Sequence, residues 1–239
     1  MSRTATVTRK TRETNITVTL DLDGSGKADL HTGIGFFDHM LDGFARHGLF
    51  DLTLHCDGDL NVDCHHTIED CGIALGTAIR EALGDKAGIV RYGSCMLPMD
   101  ETLALCAADL GGRPYFVYDA SFAGQSCGGM DVQMAREFFY AVSYSAMMNL
   151  HLKVLYGEND HHKLEAMYKA FAKALSAAVR HDDRIVGVLS TKGSIYSVRR
   201  EELGVFGCGH QKSLPEYWDN LWGTVLTVLR VSDYWSFAW

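Results

Sequence analysis

A chain that is written twice has few ways to fold, because each copy must form the same elements and the copies must then cover one another's apolar faces. This chain of 239 residues is written twice. His65, His66 and Glu69 of "HHTIE" return as His161, His162 and Glu165 of "HHKLE", 96 positions further on. Upstream, "ETNITVTLDLDG" (13–24) is echoed by "ETLALCAADLGG" (101–112) at an offset of 88, which matches Glu13 with Glu101, Asp21 with Asp109 and Gly24 with Gly112. Between these anchors "GFFDHM" (35–40) faces "REFFYA" (136–141), setting His39 opposite Glu137 at an offset of 98. The anchors keep their order and their offsets drift little. Residues 1–92 and 93–195 therefore read as two related halves, with 196–239 as an extension beyond them.

Each half has legible elements. "NITVTLDL" alternates β-branched and polar residues, which predicts a strand closed by the "DGSG" turn. "FFDHMLDGFARHG" predicts a helix and "LFDLTLHCDGDL" a strand and turn. After the first double histidine, Ile68, Leu75, Ile79 and Leu83 keep helical spacing until "GD" ends the run, and Leu164, Met167, Phe171 and Leu175 repeat the pattern. The expected fold is α+β: two duplicated βαβ-type halves, each a sheet with helices packed on one face.

Charge and composition narrow the class of partner. A net charge of −8 argues against a broad nucleic-acid surface. The polar, alternating N-terminus lacks the apolar run of a signal peptide, and nothing approaches the roughly 20 apolar residues of a membrane span. Seven cysteines without a CxxC pair read as reduced thiols, so the expected location is the cytoplasm.

On a helix, positions three and four apart share a face while adjacent residues diverge by about 100°. His65 or His66 can therefore grip one ion together with Glu69, but the two histidines cannot easily serve the same metal. Each copy offers ligands in two directions, which suits two ions. Adding His39 and Glu137 to the histidines and glutamates of both copies gives eight donors, or four per ion. Nitrogen and carboxylate donors without thiolate suit Mn²⁺, Fe²⁺ or Zn²⁺, and four protein ligands leave an octahedral ion two open positions.

Substrate chemistry is expected where the copies differ. Lys169 stands four residues after Glu165, where the first half has Ile73. A cation beside a metal site calls for an anion to join it. "STKG" (190–193) adds Ser190, Lys192 and a glycine that permits close backbone approach, a short phosphate cradle. Arg91 and Arg113 could add bidentate contacts to the same phosphate, and Glu13 is the best free carboxylate for proton transfer.

The stretches "GIGFFDHML", "GDLNVDCHHTIED", "LPMDETL", "DLGGRPY", "LHLKVLYGENDHHKLEAMYKAFAKAL" and "STKG", in this order over residues 3–195, closely resemble the imidazoleglycerol-phosphate dehydratases of histidine biosynthesis. The resemblance implies a lyase that converts imidazole glycerol phosphate into imidazole acetol phosphate, using two Mn²⁺ per active site to favour the imidazolate form of the ring. It implies trimers that assemble into a shell of twenty-four subunits, with active sites at their junctions. By position, His39, His65, His66, Glu69, His161, His162 and Glu165 fall on the family's metal ligands, and Glu13, Arg91, Arg113, Lys169, Ser190 and Lys192 on its substrate contacts. His65, Glu69, His161 and Glu165, with Glu13, are the expected catalytic groups.

The chain departs from that pattern in places. Several members have a metal-binding histidine where Glu137 stands here, and His151 of "NLHL" is an alternative ligand. Some carry a glutamine at the position of Gly43, and a proline often precedes "STKG" where Leu189 stands. Members usually finish soon after "STKG", whereas residues 196–239 continue with all four tryptophans and the strand-like "GTVLTVLRV". A dinuclear metallohydrolase of a phosphorylated compound and a non-enzymatic metal-binding shell protein are the competing readings. The first calls for aspartate-rich ligands, and the second leaves Lys169 and "STKG" without a role.

Overall fold

The structure, a computed structural model, describes residues 3–195. The expectations for 196–239 lie outside the described residues. The first half runs β1 (Thr4–Lys10), β2 (Thr14–Asp21), β3 (Ala28–His31), α1 (Gly35–Gly48), β4 (Asp51–Gly58) and α2 (His65–Leu83). The second runs β5 (Tyr92–Met99), β6 (Thr102–Asp109), β7 (Tyr115–Asp119), α3 (Met134–Ser145), β10 (Asn149–Tyr156) and α4 (Asp160–Val179), with a short ribbon of β8 (Ser126–Cys127) and β9 (Met130–Asp131) between β7 and α3.

The duplication reaches down to strand pairing. One sheet has the order β1-β2-β4-β3 and the other β5-β6-β10-β7. In both, the last-named edge strand is parallel to its neighbour and every other pair is antiparallel. Alternation does what it predicts: Ile16, Val18 and Leu20 of β2 are wholly buried beneath the helices. Their counterparts on β6, Ala104, Cys106 and Ala108, are smaller. There α4 comes so close that a Cβ at Gly93 of β5 would lie 1.9 Å from the Ala174 carbonyl oxygen.

Asn159 caps α4 with its side chain, and Asp63, one residue before the Cys64 N-cap of α2, accepts from the first N–H of that helix. Asp63 Oδ1 accepts from the His65 N–H at 2.7 Å, and Asn159 Oδ1 accepts from the N–H groups of His161 at 2.9 Å and His162 at 3.4 Å. Asp63 and Asn159 are themselves repeat partners. Buried Asp70 holds the start of α2 against its sheet, accepting from Arg9 Nε at 2.9 Å and from the Thr14 hydroxyl.

The halves join helix to helix, α1 packing on α4 and α2 on α3. Phe44 stacks on Phe171 at 5.3 Å between ring centres, and Phe37 meets Phe138 edge to face at 5.3 Å. A single apolar core runs through both halves. The described cysteines form no disulfide, and among the described residues no helix is long and apolar enough to cross a membrane. The α2–α3 contact depends on two glycines one turn apart. A Cβ at Gly72 would lie 2.8 Å from the Phe138 carbonyl oxygen, and one at Gly76 would lie 2.6 Å from that of Val142. Gly76→Ala is therefore expected to destabilise the protein by about 1–3 kcal/mol through overpacking, read as a lower melting temperature and urea midpoint.

Candidate metal centre

Helix packing between the halves assembles the site. α1 carries His39 onto the first turn of α4, where His161 Nε2 lies 3.1 Å and His39 Nε2 3.9 Å from Glu165 Oε2. One donor atom from each of His39, His161 and Glu165 falls within 4.8 Å of the others. Phe36 packs edge-on against the His161 ring at 5.1 Å and walls the trio on one side. Lys169, one turn below, takes the other carboxylate oxygen, with Nζ 2.6 Å from Glu165 Oε1. Burial pushes the Glu165 carboxyl up, but Lys169, His39 and His161 together outweigh it and hold the group below its ordinary value.

The mirror-image set is looser. His65 Nε2 lies 3.6 Å from Glu69 Oε2, as i,i+4 spacing on α2 requires. Glu137 occupies on α3 the place that His39 holds on α1, yet its carboxylate accepts from Arg136 at 2.8 Å and joins no three-donor cluster among the described residues. The alternative ligand, His151, is exposed on β10 between inward-facing Leu150 and Leu152, hence on the sheet face turned away from the helices. Among the described residues no three-donor cluster contains ligands from both HHxxE copies.

His66 and His162 diverge from their neighbours, with ring centres 6.2 Å apart in each pair. Each is held by a carboxylate. His66 Nδ1 lies 2.9 Å from Asp59 Oδ2, and His162 Nδ1 lies 2.7 Å from Glu101 Oε2. Those contacts raise both imidazole pKa values. Glu101 is held well below the carboxylate range by the Asn159 N–H and then by His162. A proton kept on Nδ1 leaves the Nε2 lone pair for a metal, and Asp100 Oδ2 lies 3.6 Å from that nitrogen of His162. The other Asp59 oxygen, Oδ1, is buried with no hydrogen-bond partner, adding uncompensated negative potential beside His66. Imidazoles with outward lone pairs, backed by carboxylates, fit a borderline divalent ion.

Asp59 and Glu101 were not among the residues singled out from sequence. The signal for Glu101 was there, since it is the repeat partner of Glu13. The partners differ in use. Glu101 is engaged with His162, whereas Glu13 is exposed, forms no ion pair among the described residues, and lies near enough to His66 for its charge to be felt there.

The expected phosphate contacts fall into two groups. Arg91 turns its fork to Asp109, Nε to Oδ1 at 2.7 Å and a terminal nitrogen to Oδ2 at 3.0 Å. Its remaining nitrogen donates to the Leu189 carbonyl at 2.8 Å, so Arg91 anchors the approach to the "STKG" turn. That turn is closed by the Gly193 N–H on the Ser190 carbonyl at 3.0 Å and the Lys192 N–H on Ser190 Oγ at 3.2 Å, and it stands exposed. Arg113 is exposed, and its carbonyl accepts from Asn149.

The family model of imidazoleglycerol-phosphate dehydratase matches residues 32–175. A relative of that name from Lachnoclostridium phytofermentans is 60% identical over 195 residues, covering 82% of this chain and 100% of the relative. The chain belongs to the imidazoleglycerol-phosphate dehydratase family. A second relative of the same name, from Acetivibrio thermocellus, is 56% identical over 195 residues, with the same coverage of 82% and 100%. Among solved structures, the dehydratase of Staphylococcus aureus superposes with a TM-score of 0.69 at 35% identity, covering 75% of this chain and 99% of that one. The Pyrococcus furiosus structure gives 0.68 at 32%, covering 79% and 100%. The duplicated α+β architecture is thus that of known dehydratases.

Glu101→Gln sets an amide NH₂ against His162 Nδ1, favouring the tautomer with its proton on Nε2. Mn²⁺ affinity is expected to fall by about 10–100-fold, read by electron paramagnetic resonance titration. Affinity equal to wild type would remove Glu101 from the support of His162.

Proposed function

We propose that the chain dehydrates imidazole glycerol phosphate to imidazole acetol phosphate in histidine biosynthesis, in an active site holding two Mn²⁺. One observation carries this reading: His39 of one half converges on His161 and Glu165 of the other, with Lys169 on the same carboxylate. His65, His66, Glu69 and His162 would hold metal with that trio, and Glu137 would complete the set. When bound, the ions would supply positive charge that favours the imidazolate form of the substrate ring.

The chain's own residues would do the rest. Lys169, Ser190, Lys192, Arg91 and Arg113 would bind the phosphate, with Arg91 also holding the turn through the Leu189 carbonyl. This fixes the glycerol chain for reaction. The hydroxyl on the carbon next to the ring leaves as water, and the following carbon gives up its proton. Glu13 would move these protons, being the carboxylate near His66 that no described partner occupies. The enol so formed becomes the ketone, for a net loss of one water.

No three-donor cluster within the described residues combines the two HHxxE copies, which supports completion of each ion's ligand set by a neighbouring copy. Trimers built into a shell of twenty-four subunits are the assembly this reading carries, in the cytoplasm. The experiment is to incubate Mn²⁺-loaded protein with imidazole glycerol phosphate and follow the ketone. Release of inorganic phosphate would instead mark a hydrolase, and tight Mn²⁺ binding without turnover a metal-storage role.

Two variants test the parts separately. His66→Ala is expected to lose bound metal and turnover together, and unchanged metal content by atomic emission would remove His66 from the site. Lys192→Ala is expected to keep its metal but raise KM roughly tenfold or more, the loss of one charge-assisted hydrogen bond. A normal KM would refute the cradle.

A further inference from the structure

A second group of metal-ligating side chains lies away from the HHxxE copies, on the sheet face that the helices leave open. β3 and β4 are parallel, and their register sets His31 directly opposite His55. Asp29 lies two residues before His31, hence on the same face of β3. Its Oδ1 is 3.3 Å from His55 Nε2 and 3.4 Å from His31 Nε2. The two rings stand edge to face with centres 4.8 Å apart. One donor atom from each of the three residues lies within 4.8 Å of the others.

The duplication supplies an internal control. In the second sheet the corresponding strands β7 and β10 set Asp119 opposite Lys153, and the pair forms an ion pair of 2.6 Å. That is an ordinary cross-strand contact of opposite charges. The first half puts a histidine at both places and adds Asp29. Two imidazoles opposed across strands give no charge complementarity, and protonating both would set like charges face to face. The N···O separations also exceed the usual hydrogen-bond range of about 2.7–3.2 Å. They do match the ligand–ligand edge of a tetrahedral ion bound at about 2.0–2.1 Å, which is about 3.4 Å.

We propose that Asp29, His31 and His55 form a second, surface metal site for a borderline divalent ion such as Zn²⁺, Ni²⁺ or Cu²⁺, with water at the remaining positions. Two imidazoles and one carboxylate favour these ions over Mn²⁺, which stands lowest in the affinity order. The site shares no residue with the HHxxE set and does not depend on the proposed activity. Among the described residues β3 is an edge strand that pairs only with β4, and it leads within a few residues into α1, the helix that carries His39. An ion bridging β3 and β4 would pin that edge.

The test uses the full-length, Mn²⁺-saturated protein dialysed against micromolar Zn²⁺, with Mn and Zn per chain counted by mass spectrometry. His31→Asp/His55→Lys installs in the first half the ion pair found in the second. Wild type is expected to hold one more divalent ion per chain than this variant, with unchanged occupancy of the HHxxE residues. Equal stoichiometry, or a variant that loses an ion from the HHxxE residues instead, would overturn the proposal. Asp29→Asn, a near-isosteric change, should weaken the additional Zn²⁺ at least tenfold by calorimetry, and unchanged affinity would likewise overturn it. Zn²⁺ should also raise the melting temperature of wild type more than that of either variant.

Discussion

The candidate metal centre depends on the packing of α1 against α4. Each sheet buries its inner face beneath its own two helices, and those helices still have apolar sides to cover. They cover them with the helices of the other half: Phe44 against Phe171, Phe37 against Phe138, Gly72 and Gly76 against the backbone of α3. The same packing carries His39 out of the first half and sets it beside His161 and Glu165 of the second. Neither half contains that trio by itself. Burial of apolar surface, a force without direction, thereby fixes the relative positions of three candidate ligands.

Duplication supplies two of everything, and chemistry enters where the copies part. Lys169 replaces Ile73 and draws one oxygen of Glu165, leaving the other to the histidines. Glu101 steadies His162, whereas Glu13 forms no ion pair among the described residues and lies near His66, whose support comes from Asp59. The cross-strand pair Asp119–Lys153 has become His31–His55 with Asp29 beside it. Each is a local difference within a shared framework, and each alters the local charge without disturbing the core.

Much of this could be read from the residues in order. Alternation marked β2 and β4, and helical spacing marked α1, α2 and α4. The ligand types of the trio were legible because histidine and glutamate at i,i+4 share a helix face in any setting. Other features were not. The short edge strands β3 and β7 pair in parallel with strands far along the chain, and the β8–β9 ribbon has only two residues a side, too few for periodicity to register. Arg91 reads from sequence as a phosphate contact, and the sequence does not show that its fork also grips an aspartate. Its partner, Asp109, is known only once β6 is laid beside the turn after Val90.

Sequence alone determined the duplication, the main strands and long helices, the candidate donor types and the resemblance to a family. These rest on local periodicity, helix geometry and residue chemistry, which act over a few positions and survive any arrangement of the whole. Tertiary structure decided which half lends its histidine to which clamp, that Asp59 and Glu101 orient His66 and His162, that Glu137 turns to Arg136, and that Asp29, His31 and His55 meet. Those contacts join residues far apart in the chain. Their distances follow from how two sheets and four helices exclude water together, which no stretch of the chain carries by itself.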